Sequence, residues 1–348
     1  MKKVLVASLN WGLGHATRDI PVIRELQRQG AEVLIASDGA ALELLRKEFP
    51  GLKCFELPAW NITYPATGNL SWHLLRQLPK VIRAIRNEHR VLENLVTREN
   101  IDLVVSDSRM GCYSSTVKSV VLTHQLFIET PFLRKLVNRN NHRMLRKFSE
   151  VWIPDVPGEN NLAGRLSWRK QIPFKHRYLG ILSRFHTSPQ HSETDVVAVI
   201  SGPEPQRTAF ENELLPKLEQ SGLNCAVLLG KPGMGCEPVV SDKLTIYPHL
   251  PADEAEQLFR KAGTIISRSG YSTVMDLAVL GKKAILVPTP GQPEQEYLAE
   301  YCREKGWFVI EKQGEINLEQ AFEQIGRSGV PGFTDNSLLE DAVMSFLF

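Results

Sequence analysis

The sequence lacks any pairing of cysteines. Cys54, Cys112, Cys225, Cys236 and Cys302 are odd in number, scattered, and nowhere spaced as C-x-x-C. Neither a zinc site nor a disulfide framework is expected, and free thiols in a reducing cytoplasm are the simplest reading. Long apolar runs are missing too, so no membrane-spanning helix is expected. The N-terminal MKKVLVASLN starts basic and turns apolar, but residues 4–9 are too short a run for a signal peptide. A first buried strand accounts for them better. Charge of one sign is not in excess: 41 Lys and Arg face 39 acids, a formal charge of +2. Nothing there calls for nucleic acid as a partner. No G-x-x-x-x-G-K-[ST] follows an apolar run, so a P-loop is absent, and no short-period repeat or low-complexity segment occurs.

What is present suits two domains. The chain has 348 residues, 43% of them hydrophobic, enough for two sizeable cores. Short β-branched runs alternate with stretches of helical period. Strands are expected at 4–9, 32–37, 52–57, 101–106, 119–123, 150–154 and 177–182. Helices are expected at 15–29, 40–48, 70–98 and 132–148. Residues 187–192, TSPQHS, are polar and breaker-rich, and the domain boundary is placed there. The pattern then restarts, with strands at 195–200, 224–229, 244–247, 264–267, 283–287 and 307–310. Helices at 206–220, 252–262, 272–280 and 294–305 lie between them. The fold class is therefore α/β: two tandem Rossmann-like doubly wound parallel sheets, residues 1–186 and 187–348. The last helix is expected to pack back on the first domain.

Strand-to-helix loops carry the candidate chemistry. The first strand feeds NWGLGHATR (10–18), where Gly12 and Gly14 permit a tight turn and close backbone approach to a ligand. Thr17 stands where a dinucleotide fingerprint needs glycine, which argues against a nicotinamide cofactor. His15 opens the next helix. A helix N-terminus disfavours imidazolium, so the ring suits a general base; packing in a glycine-rich turn is the plainer reading. Asp107 ends the strand at 101–106, where it is placed either to orient His15 or to form a turn. In the second half, ISRSGYSTVMD (266–276) runs from strand to helix through Ser269 and Gly270. Free N–H groups and the hydroxyls of Ser272 and Thr273 suit a diphosphate, and Asp276 on the same face suits ribose hydroxyls. PTPGQPEQ (288–295) brings Glu294 and Gln295 to a helix start, suited to sugar hydroxyls. SGPEPQR (201–207) offers Gly202 for close approach and Arg207 for a phosphate. Arg109, His124 and Gln125 follow strands of the first half without an assigned role.

Together these motifs resemble the glycosyltransferase-B (GT-B) superfamily, and within it the family 28-like group that includes the peptidoglycan N-acetylglucosaminyltransferase. GLGH (12–15) looks like that group's glycine-rich, His-bearing first loop. RSGYSTVMD (268–276) looks like its donor-binding strand–loop–helix, and QPEQ (292–295) before Tyr297 like its sugar-contacting loop. Three positions depart from the pattern: Glu294 stands for the usual Asp, Leu298 for an Asn and Asp276 for the usual Glu. The resemblance implies an inverting, metal-independent hexosyltransferase with no cofactor, its nucleotide-diphosphate sugar (expected to be UDP-linked) bound between an acceptor-side and a donor-binding domain. His15, with Asp107, would be the base. Gly14, Gly202, Arg207, Leu250, Arg268, Ser269, Gly270, Ser272, Thr273, Asp276, Glu294 and Gln295 would bind the donor, with Leu250 near the base. The acceptor is open. Cell-envelope or surface glycan synthesis is the expected setting.

The segment 130–149 contains no acid and carries Arg134, Lys135, Arg139, Arg143, Arg146 and Lys147 beside an apolar stripe. Such a helix can lie on an anionic membrane, which would suit a lipid-linked acceptor and a cytoplasmic protein at the inner face of the membrane. A docked helix with a solvated basic face is the alternative. Two other functions stay open: a nucleotide-sugar hydrolase in which His15 activates water, as in a relative that shares the G-x-G-H-x-x-R start, and a non-catalytic nucleotide-sugar-binding partner.

Overall fold

Strands buried on both faces read as unbroken apolar runs, and the first such run forms the middle of a sheet: Val4, Leu5, Val6 and Ala7 are wholly buried. A computed structural model describes residues 1–60, 77–130, 133–185, 193–202, 204–231, 237–332 and 337–348. They form two units, one running to Arg184 and taking in the C-terminal helix, the other starting at Phe185. The boundary expected at 187–192 lies outside the described residues, as does the first part of the helix expected from residue 70.

The first unit runs β1 (Lys3–Ser8), α1 (Gly14–Arg28), β2 (Glu32–Ser37), α2 (Gly39–Glu48), β3 (Lys53–Glu56), α3 (Leu78–Glu99), β4 (Leu103–Asp107), β5 (Lys118–Leu122), α4 (Arg134–Leu145), β6 (Glu150–Ile153) and β7 (His176–Tyr178). The sheet order is β3-β2-β1-β4-β5-β6-β7, every pairing parallel. The strand expected at 177–182 is only three residues long, because Gly180 at φ 76° turns the chain. The basic helix begins at Arg134. Its Asn138, Asn141 and His142 bond the backbone at Gln125, Leu126 and Ile128, so one polar face is docked. Leu133 and Leu136 remain exposed.

The second unit runs β8 (Thr194–Val199), α5 (Gln206–Gln220), β9 (Cys225–Leu228), β10 (Val239–Val240), β11 (Leu244–Tyr247), α6 (Ala252–Lys261), β12 (Ala262–Ser267), α7 (Tyr271–Leu280), β13 (Lys283–Leu286), α8 (Pro293–Glu304), β14 (Val309–Ile310) and α9 (Leu318–Ile325). Its sheet order is β10-β11-β9-β8-β12-β13-β14, with only β10 antiparallel to its neighbour among the described strands. Phe210, Leu214 and Leu218 of α5 pack with Val196, Ile266 and Ile285 to fill one side of it. The helix α9 starts at Asn317, whose side chain accepts from the Gln320 N–H at 3.1 Å, an N-cap.

A last helix, α10 (Ser337–Leu347), belongs to the first unit and packs against α1 and β7. Its anchor is Phe346, edge-on to buried Trp152 of β6 at 5.1 Å between centroids and capped by the Lys118 ammonium at 4.9 Å. Arg177 bonds Ser345, and Arg28 pairs with Glu340 at 2.8 Å. Phe346→Ala removes a buried aromatic contact and leaves a cavity, so denaturant unfolding should show a loss of roughly 3–5 kcal/mol. A loss below about 1 kcal/mol would mean that the helix is not anchored there.

Candidate active site

In each sheet the chain first builds outward on one side and then crosses to the other. In the first unit β1, β2 and β3 go one way and β4 onward the other, so the switch lies between β1 and β4. Loops at the carboxyl ends of strands flank a crevice at such a point. The register sets Ser8 of β1 beside Asp107 of β4, and Asp107 beside Leu122 of β5. His15 stands in the first turn of the helix that follows β1, and His124 two residues beyond β5. Three neighbouring strand ends thus supply His15, Asp107 and His124.

His15 Nδ1 lies 3.0 Å from Asp107 Oδ1. Arg18, one helical turn on, is 2% exposed and grips the same carboxylate: Nε donates to Oδ2 at 2.7 Å and Nη2 donates to Oδ1. Nη2 also lies 3.1 Å from Ser108 Oγ and 2.9 Å from His15 Nδ1. Asp107, an ionised acceptor 3.0 Å away, favours the tautomer in which Nδ1 donates to it. The lone pair is left on Nε2, the tautomer a general base needs. Arg18 Nη1 lies 3.3 Å from His124 Nδ1. Arginine only donates, so this nitrogen accepts and the His124 proton sits on Nε2.

Burial alone would raise the Asp107 pKa, but the charges of Arg18 and His15 outweigh it and hold the carboxyl well below the usual carboxylate range. For His15 burial dominates; with Arg18 and His124 it overcomes Asp107 and lowers the ring below its ordinary 6.5. Arg109, given no role from sequence, is a buried brace. It donates to Glu88 and Asp38 at 2.7 Å each, to the Ser8 carbonyl at 3.0 Å and to the Pro58 carbonyl at 2.8 Å. It ties the ends of β1 and β2 to α3.

In the second unit the switch lies between β8 and β12. Gly202 follows β8 at φ 115°, a conformation that favours glycine. Gly270 caps α7 in extended conformation, and no side chain caps that helix. Ser272 and Thr273 stand half-buried in its first turn, the helix end that favours an anion, with half-buried Asp276 on the next turn.

Several residues expected to touch a donor are turned elsewhere. Arg268 is buried: it donates to the carbonyls of Val287, Pro288 and Gln206 at 3.2, 3.3 and 2.9 Å, and stacks on Phe210 at 4.1 Å. Burial lowers it to about 10. Its two terminal nitrogens hold strand-end loops together. Ser269 Oγ donates to the Gln295 carbonyl at 2.8 Å, and Gln295 Oε1 accepts from the Thr289 N–H at 2.8 Å. Both side-chain oxygens shape the β13–α8 loop. Arg207 is paired with Glu204 and Glu211, so its charge is already met. The Leu250 side chain is buried just before α6. Glu294, half-buried in the first turn of α8, and Gly14, the first residue of α1, stand at the helix starts where they were expected.

Residues 239–328 match the glycosyltransferase family 28 C-terminal domain, a stretch that holds Leu250, 268–276, Glu294 and Gln295. An uncharacterized glycosyltransferase of Methanopyrus kandleri is 24% identical over 317 residues, 87% of this chain and 90% of that protein. A UDP-N-acetylglucosamine--N-acetylmuramyl-(pentapeptide) pyrophosphoryl-undecaprenol N-acetylglucosamine transferase of Sulfurihydrogenibium sp. is 26% identical over 130 residues, 37% of this chain and 36% of that protein. Among solved structures, the MurG of Acinetobacter baumannii superposes with a TM-score of 0.53 at 14% identity, covering 100% of this chain and 99% of that one. The chain is a glycosyltransferase of GT-B type. The family 28 match covers the second unit's loops, so the first unit of this glycosyltransferase must be read from its own geometry. In histidine-resolved NMR at pH 7, His15 should carry its proton on Nδ1 and titrate below 6.5. An Nε2-protonated ring would overturn the arrangement.

Proposed function

We propose that this glycosyltransferase moves a sugar, with inversion, from a nucleotide-diphosphate sugar to an acceptor hydroxyl, with His15 as the base. The carrying observation is His15 Nδ1 3.0 Å from an Asp107 carboxylate gripped by Arg18, an arrangement that favours the tautomer with Nε2 left to take a proton. Displacement at an anomeric carbon needs the acceptor oxygen to lose its proton as it attacks. A neutral imidazole whose far nitrogen rests on a carboxylate meets that need, since Asp107 stabilises the imidazolium that forms. The leaving diphosphate gains charge, and the N-terminal end of α7 with the hydroxyls of Ser272 and Thr273 suits such charge. Asp276 is assigned to the ribose and Glu294 to the donor sugar. UDP is the expected nucleotide, in keeping with the name of the Sulfurihydrogenibium relative. No cofactor and no metal enters the scheme; the helix terminus and hydroxyls take the part a cation would play.

The acceptor is assigned to the first unit. A lipid-linked acceptor is supported by the basic helix α4 and its exposed Leu133 and Leu136, which suit a peripheral place on an anionic membrane at the cytoplasmic face. No helix among the described residues is long and apolar enough to cross a membrane.

The test is release of nucleoside diphosphate from UDP-, GDP- and dTDP-sugars, with and without candidate acceptors. Transfer should need both substrates. His15→Ala should cut turnover by about 10²–10⁴-fold while donor affinity holds, and turnover should survive excess chelator. Fast His15-dependent release without acceptor would replace the scheme with a hydrolase. Binding without turnover across the panel would leave only a binding subunit.

A further inference from the structure

One charged side chain beside the candidate base has no part in the scheme. Asp19 lies on α1, one residue after Arg18 and four after His15, so it shares their helix face. It is wholly buried, and neither of its oxygens has a hydrogen-bond partner in good geometry; the same holds for Ser8 Oγ at the end of β1. The groups that face Asp19 are Asp107 from β4, Ser8 from β1 and Arg18 from its own helix. Arg18 turns Nε and Nη2 to Asp107. Two carboxyls therefore stand by one guanidinium, and that guanidinium is taken.

We propose that Asp19 is a positioning residue for the His15–Asp107 pair, a neutral carboxylic acid set against the Asp107 carboxylate. An anion at this place would be buried, unpaired and next to another anion. Burial first, and then the Asp107 charge, push Asp19 well above the ordinary carboxyl range. The acid O–H has Asp107 as the strongest acceptor facing it. A hydrogen bond from it draws charge from Asp107, weakens the pull of Asp107 on the His15 proton and so keeps His15 a mild base. Asp19 touches no substrate in this account and acts through Asp107.

The test titrates His15 by NMR in wild type, Asp19→Asn and Asp19→Ala, beside the pH dependence of kcat/KM. Asp19→Asn exchanges one neutral donor for another and should leave the His15 pKa in place. Asp19→Ala removes the donor and should raise the His15 pKa by on the order of one unit, with the acid limb of kcat/KM moving alike. A fall in the His15 pKa in Asp19→Asn would show that Asp19 was an anion and overturn the proposal. No movement in Asp19→Ala would overturn it equally. Should the variants not fold, the assigned side-chain carboxyl carbon of wild-type Asp19 decides: it should report the protonated acid at pH 7, and an ionised signal refutes the proposal. The proposal rests on the proposed role of His15 only for the rate profile. If His15→Ala proves fully active, the NMR titrations still judge Asp19 separately.

Discussion

The first unit's site depends on one buried ion pair, Arg18 with Asp107. Taking both charges out of water is costly, and the attraction between them offsets that cost only when the remaining hydrogen-bonding capacity is met. Here it is: Asp107 accepts from Arg18 through both oxygens and from His15, while Arg18 also reaches Ser108 and His124. The pair comes from α1 and β4, far apart in the chain, so it fixes the helix that carries His15 against the strand that carries Asp107. It also biases two tautomers in opposite senses: Asp107 draws the His15 proton to Nδ1, and Arg18 Nη1 beside His124 Nδ1 draws the His124 proton to Nε2.

The second unit solves the same positioning problem without an ion pair. Buried Arg268 holds strand-end loops through three backbone carbonyls and the face of Phe210. Carbonyls are weaker partners than a carboxylate, and burial lowers the Arg268 pKa. What the proposed scheme leaves for the ligand is the start of α7, which follows Gly270 and has no side-chain cap. A negatively charged ligand suits a site made of N–H groups, and a carboxylate clamp beside it would repel that ligand.

Most of the fold was legible in the sequence because parallel strands buried on both faces are apolar throughout and the helices between them are amphipathic. Most element ends moved by a residue or two, but the basic helix stops three residues early, at Leu145, and β7 four, at Tyr178. The two-residue β10 has no period to read, and α10 depends on Trp152 meeting Phe346, a contact nearly two hundred residues apart. In the site, His15 and Asp107 were visible because strand-end position and residue type pointed the same way. Arg18 was visible only as the last residue of the G-x-G-H-x-x-R start and Asp19 not at all, since a charged residue at the start of a helix looks the same in sequence whether it faces water or core. Their spacing of three and four from His15 was the signal available. Arg268 and Ser269 mislead for the same reason: residue type suggests a ligand contact, and burial, which sequence does not display, turns both inward.

The charge balance of the buried cluster bears on how the reaction can proceed. Arg18 and Asp107 cancel, and His15 is neutral, so the resting site carries no net charge. Proton transfer to His15 makes the site cationic beside a fixed guanidinium, which is why burial and Arg18 both keep this histidine a mild base. A mild base cannot strip a sugar hydroxyl in advance, because the hydroxyl is a far weaker acid than imidazolium. The proton must move as the new bond to the anomeric carbon forms, when the acceptor oxygen has become acidic. In the proposed scheme that in turn requires the diphosphate to be leaving at the same moment, so base strength and leaving-group stabilisation must be matched to a single transition state. A stronger base at position 15 would remain protonated at neutral pH and gain nothing.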